Sequence, residues 1–121
     1  MTAKLSTHVL DTYHGGPGAG IAWTLETPTD SGASSNWTQL AAGVTNADGR
    51  TDGPLLEGAA LKTGAYRITY QIGAYFRGRG LSLPEPPFLD AVVVQVSLQA
   101  GEAYHVPLLT SPWSYSTYRG S

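Results

Sequence analysis

The chain of 121 residues has no cysteine, which removes disulfide staples, thiolate nucleophiles and cysteine-ligated zinc from its chemistry. Charge is scarce too. Only 13% of residues are Asp, Glu, Lys or Arg, and the formal net charge is −2. Without a basic stripe to neutralise phosphates, neither nucleic acid nor an anionic membrane is expected as a partner. No apolar run approaches the length of a membrane span, or of a signal-peptide core behind a basic start, so a cytoplasmic location is expected. Fifteen glycines and eight prolines interrupt or weaken any long helical ladder. A Gly-x-Ser-x-Gly elbow, a P-loop and a dinucleotide fingerprint are also missing. The run Gly15-Gly16-Pro17-Gly18-Ala19-Gly20 is glycine-rich but reads as a bend between strands.

What is present is period-2 alternation. Tyr66, Ile68, Tyr70 and Ile72 alternate with Arg67, Thr69 and Gln71, and Val92, Val94, Val96 and Leu98 with Val93, Gln95, Ser97 and Gln99. Ile21, Trp23 and Leu25 form a shorter case. Each pattern puts the apolar set on one face of a half-buried strand. Turn residues fall between the runs at 15–20, 27–35, 46–53, 83–87 and Gly101, a spacing that predicts a β-sandwich rather than βαβ units. One or two helical turns around Ala74 to Gly78 are the single helical candidate. With no boundary, repeat or linker, residues 1–121 are expected to form one domain, large enough to bury roughly two-thirds of its unfolded surface.

Three histidines are available for proton transfer near neutral pH. His8 falls mid-strand on the face opposite Leu5, Thr7, Val9 and Asp11, and His105 falls in a strand between Tyr104 and Val106. A partly buried histidine satisfied by a hydrogen bond is the ordinary case, so both roles stay open on the residues alone. His14, beside Gly15, reads as a solvated loop residue. Arg50 ends the turn Asn46-Ala47-Asp48-Gly49, whose Asn, Asp and Gly suit the positive φ of a tight hairpin. It is either an exposed turn arginine or a guanidinium mounted to hold a planar polar substrate through paired hydrogen bonds. No histidine has the helical i, i+4 pairing or nearby ligand cluster of a zinc site, and the 46–49 turn lacks the oxygen spacing of a calcium loop. Neither a metal nor a cofactor is expected.

Four motifs then occur in order. Leu5-Ser6-Thr7-His8-Val9-Leu10-Asp11-Thr12 leads to Gly15-Gly16-Pro17-Gly18, with Gly18 where alanine is more usual. Thr45-Asn46-Ala47-Asp48-Gly49-Arg50 follows, then Thr63-Gly64-Ala65-Tyr66 through Ala74-Tyr75-Phe76. Last come Tyr104-His105-Val106-Pro107-Leu108-Leu109 and Ser111-Pro112, running into Ser114-Tyr115-Ser116-Thr117-Tyr118-Arg119-Gly120-Ser121. Together they resemble the 5-hydroxyisourate hydrolases, the enzymatic branch of the transthyretin family. The stretch Leu83-Pro84-Glu85-Pro86-Pro87 and the following Phe88-Leu89-Asp90-Ala91 depart from the family pattern, as does a long loop over residues 27–35. These departures touch loop shape and assembly rather than chemistry.

The resemblance implies an all-β, transthyretin-like sandwich of eight strands in two four-stranded sheets, with one short helix. It implies hydrolysis of the ring amide of 5-hydroxyisourate, a purine-derived small molecule, to 2-oxo-4-hydroxy-4-carboxy-5-ureidoimidazoline. His8, Arg50, His105 and Ser121 would be catalytic, one histidine taking the water proton while the other orients or relays, and Tyr118, Arg119 and Gly120 would close the site on the substrate. A homotetramer, a dimer of dimers with sites in the channel between them, is implied as well. Trp and Tyr in the last strand fit such an interface or the chain's own core. The rival from another class is a non-catalytic transthyretin-like carrier, which would lack the Tyr-Arg-Gly-Ser ending and the paired histidines.

Overall fold

Two sheets face each other across an apolar layer in a computed structural model that describes residues 2–30 and 36–120. Among the described residues there are nine strands: β1 (Lys4–Asp11), β2 (Gly16–Pro17), β3 (Ala22–Pro28), β4 (Trp37–Val44), β5 (Leu56–Glu57), β6 (Gly64–Gln71), β7 (Ala91–Leu98), β8 (Ala103–Thr110) and β9 (Tyr115–Thr117). One sheet runs β4-β3-β6-β7, antiparallel throughout. The other runs β2-β1-β8-β9, with β5 also on β1. The ninth strand, against the expected eight, arises because the glycine-rich run does more than bend. Its Gly16–Pro17 pairs with Leu10 and Asp11 as a short return strand.

The alternation read from the sequence decides which faces meet. Leu25, Ile68, Tyr70, Val92 and Leu98 of the first sheet, and Leu5, Val9, Val106 and Leu108 of the second, are buried in one core. Tyr70 is buried far enough that its phenol is pushed up to about 12, and it shares a 2.7 Å hydrogen bond with Thr7 across the sandwich. The helix α1 (Ile72–Gly78) starts earlier than the alternation suggests. Ile72 ends the apolar series, but its N–H and that of Gly73 both donate to the Asp90 carbonyl, 2.9 Å each, which turns the chain out of the ladder. Thr27 and Pro28, read as turn residues, extend β3. The proline-rich stretch is tied to α1 by Arg77, which donates to the Pro84 carbonyl at 2.7 Å and pairs with Glu85 at 3.2 Å. Among the described residues no helix is long and apolar enough to cross a membrane.

The pair β1·β8 positions the site. It is parallel and unbroken from Lys4↔Ala103 to Asp11↔Thr110. Parallel neighbours need a long crossover, supplied here by the whole of the other sheet. The free edge of β1 is covered by three short pieces: β5 at Lys4–Leu5, the 46–50 turn at His8, and β2 at Leu10–Asp11.

Candidate active site

In β1, Leu5, Thr7, Val9 and Asp11 face the core, leaving Ser6 and His8 on the outer face. In β8, Val106 and Leu108 face the core, which puts His105 on that same outer face. Ser6 lies opposite His105 and His8 opposite Pro107. The two histidines are therefore diagonal neighbours on adjacent strands, with ring centroids 6.4 Å apart.

The 46–50 turn adds the guanidinium. Gly49 N–H donates to the Asn46 carbonyl and Asn46 N–H to the Arg50 carbonyl, while Val9 N–H donates to Gly49 at 2.8 Å and Arg50 bridges His8. Gly49 alone supplies the turn's positive φ, at 75°; Asn46 and Asp48 stay negative, contrary to the expectation for a hairpin of the mirror-image type. Asn46 contributes through its side chain instead, accepting from the Asp48 and Arg50 N–H groups. A Cβ at Gly49 would run into the Val9 carbonyl oxygen. Arg50 is thus held against β1 by a turn that only glycine completes.

Of the expected tail residues, Gly120 reaches the site. Strand β9 pairs with β8 at Thr110↔Tyr115 and Leu108↔Thr117, and the tail keeps that register to an isolated bridge at His105↔Gly120, where Gly120 N–H donates to the His105 carbonyl at 2.7 Å. A Cβ on Gly120 would come within 2.8 Å of the His105 ring, so the close approach needs glycine. The pleat sends Arg119 to the other side. Its guanidinium lies 4.4 Å over the Tyr104 ring and donates to the Ala103 carbonyl at 3.2 Å. With the exposed Tyr118 it lines a separate hollow of about 290 Å³ beside Val96 and Leu98. Ser121 lies outside the described residues.

A cleft of about 450 Å³ opens here, lined by Lys4, Ser6, Arg50, Ala103, Tyr104, His105 and Gly120. His8 stands beside it rather than in its wall. A larger hollow, about 650 Å³ between Thr27 and Tyr66, gathers no histidine or arginine. Burial lowers the affinity of both imidazoles for a proton, and the Arg50 charge lowers it further. At His105 the charges of His8 and Lys4 act the same way, whereas at His8 the Asp48 main chain and carboxylate oppose the shift. Both rings are neutral bases at neutral pH, next to a fixed cation.

Lys4 and Ser6 escaped the sequence reading, although their signal was available: they sit four and two residues before His8, on its face of the strand. His14 lies exposed in a turn, as expected. The tight turn after β1 also folds its ring onto the buried Asp11 carboxylate, Nδ1 to Oδ2 2.6 Å, and its N–H donates to Oδ1 at 2.9 Å. Tyr75 donates to the same carboxylate at 2.7 Å. Among the described residues no group of three or more metal-ligating side chains gathers.

Residues 5–120 match the model of the HIUase/Transthyretin family. A 5-hydroxyisourate hydrolase of Ralstonia nicotianae is 51% identical over 120 residues, 98% of each chain. Among solved structures, Klebsiella pneumoniae 5-hydroxyisourate hydrolase aligns with a TM-score of 0.76 at 32% identity, over 98% of this chain and 94% of that one. Sea bream transthyretin in complex with thyroxine aligns with a TM-score of 0.84 at 29% identity, over 98% and 95%. The match from Leu5 to Gly120, which includes both histidine strands, the Arg50 turn and the returning tail, places this chain in the HIUase/Transthyretin family.

Proposed function

We propose that the chain hydrolyses 5-hydroxyisourate, opening its ring amide to give 2-oxo-4-hydroxy-4-carboxy-5-ureidoimidazoline. The observation that carries this reading is the meeting of a neutral imidazole and a guanidinium in one cleft, at His105 and Arg50. Amide hydrolysis needs a base for water and a donor for the carbonyl oxygen as it gains charge. His105, in the wall of the cleft, takes a proton from water as the water oxygen adds to the ring carbonyl carbon. Arg50 donates hydrogen bonds to the oxygen that becomes negative. Collapse of that adduct breaks the C–N bond, the proton passes from His105 to the departing nitrogen, and the new carboxylic acid ionises. His8, 6.4 Å from His105, orients substrate or relays the proton. Ser121, which follows Gly120 directly in sequence, positions the water or the partner histidine.

Fold likeness alone does not choose between enzyme and carrier, since the thyroxine-bound transthyretin superposes better than the hydrolase does. The polar lining supports the enzyme. Lys4, Ser6, Arg50 and His105 suit a polar heterocycle better than an iodinated aromatic hormone. The test is urate with urate oxidase, with and without this protein, followed by ultraviolet absorbance as the intermediate decays. Faster decay supports the hydrolase; unchanged decay together with thyroxine binding would favour the carrier.

A cytoplasmic homotetramer belongs to the same proposal. Trp113, Tyr115 and Tyr118 are exposed rather than part of the chain's own core, and the cleft opens on an outer sheet face that a second copy would cover. Light scattering on the eluted protein tests the assembly.

A further inference from the structure

Ser6 has no part in the reaction as written, yet it makes the one side-chain hydrogen bond of His105 among the described residues, Oγ to Nδ1 at 2.8 Å. The same hydroxyl points to the Tyr104 carbonyl, 3.5 Å away. The contact is built into the sheet, since Ser6 and His105 are directly paired on parallel strands and share a face.

A serine hydroxyl has one proton to give and lone pairs to accept with. If that proton goes to Nδ1, the neutral ring carries its own on Nε2 and has no lone pair for a water in the cleft. If it goes to the Tyr104 carbonyl, Oγ accepts from Nδ1–H and the Nε2 lone pair is free. Two further features favour the second arrangement. The Tyr104 carbonyl gains a donor, and the cations lining the cleft, Lys4 and Arg50, favour a lone pair over an N–H on the ring nitrogen that Ser6 leaves unengaged. Among the described residues that nitrogen has no hydrogen-bond partner. The role parallels that of a carboxylate or carbonyl that fixes a catalytic histidine through its other nitrogen.

We propose that Ser6 is a positioning residue that holds His105 in the Nδ1–H tautomer, leaving Nε2 as the basic atom. This deepens the hydrolase reading and rests on it for its purpose, but the tautomer can be measured without substrate. The experiment is long-range proton–nitrogen correlation NMR of the ¹⁵N-labelled protein above the His105 titration, for wild type, Ser6→Ala and Ser6→Thr, with kcat and KM for each. The expected wild-type pattern is a protonated Nδ1 and an unprotonated Nε2. In Ser6→Ala the ring becomes a mixture or switches to Nε2–H, and kcat falls about 10- to 100-fold with little change in KM, the range seen when the group that orients a metal-ligating histidine through its other nitrogen is removed. Ser6→Thr restores both the pattern and the rate. A wild-type His105 protonated on Nε2, or a Ser6→Ala protein with an unchanged Nδ1–H signal, overturns the proposal, and the first needs no variant to fold. If wild type fails to speed decay of the substrate while the tautomer still follows Ser6, the hydrolase reading falls and the Ser6 assignment stands.

Discussion

The rings of His8 and His105 lie 6.4 Å apart, centroid to centroid, because the parallel pairing of β1 with β8 sets each histidine one step diagonally from the other on the same outer face. Among the described residues neither is ion-paired to a carboxylate. Arg50 is the leading charge acting on both.

That relationship fixes how the histidines titrate. Burial is the leading cause of their depression and Arg50 the second. Arg50→Met should therefore move both titration midpoints part of the way back toward the usual 6.5, without restoring it. Imidazole proton shifts followed from pH 4 to 8 check this. The linkage has a definite sign: below about 6.5 the unfolded chain binds more protons than the folded one, so stability is lost as pH falls from 6.5 through the folded values. Arg50→Met should shrink that loss. Midpoints that stay put would mean Arg50 does not set the electrostatics of the cleft.

Gly120 should tolerate no side chain. Alanine there brings Cβ within 2.8 Å of the His105 ring, so either the tail lifts or the ring tilts. A misplacement of about 1 Å costs on the order of 100-fold in rate. The expected outcome for Gly120→Ala is a kcat loss of roughly 10- to 100-fold with a melting temperature close to wild type, measured by coupled turnover and thermal unfolding.

Arg119 should act on the tail rather than on the substrate. Its guanidinium over Tyr104 and its bond to the Ala103 carbonyl hold down the segment that delivers Gly120. A partly exposed contact of this kind is worth about 0.5–1 kcal/mol, so Arg119→Ala should speed amide exchange at Gly120 about two- to fivefold. Unaltered Gly120 exchange with a large rise in KM would instead put the guanidinium on the substrate.

The Asp11 cluster should govern stability and leave chemistry alone. Burial works to raise the Asp11 carboxyl, but hydrogen bonds from Tyr75 and from the main chain and ring of His14, with the His14 charge, outweigh it and hold the carboxyl below its usual 3.8. Such a group stabilises the fold above pH 3.8 and loses that contribution as pH falls through its folded value. Tyr75→Phe should cost about 1.5–3 kcal/mol and shift acid unfolding to higher pH, with turnover of the folded enzyme unchanged. Denaturant titrations at pH 7 and pH 4 check both parts.

Much of this was legible in residues alone. Strict alternation through Tyr66 to Tyr70 and Val92 to Leu98 told which faces meet, and the position of His8 opposite Thr7 and Val9 told that it faces outward. What escaped depends on contacts distant in sequence. The carbonyl that ends β6 early comes from Asp90, eighteen residues after Ile72. The contacts of Arg119 with the Tyr104 ring and the Ala103 carbonyl come from the antiparallel return of the tail along β8, which the contiguous motif does not reveal.

The most direct measurement is the decay of 5-hydroxyisourate, generated from urate by urate oxidase, in the presence of wild type, His105→Asn and Arg50→Met. Wild type should accelerate the decay, His105→Asn should lose at least about 100-fold of that acceleration, and Arg50→Met should lose a comparable factor. Full activity in His105→Asn, or no acceleration by wild type, would contradict the account.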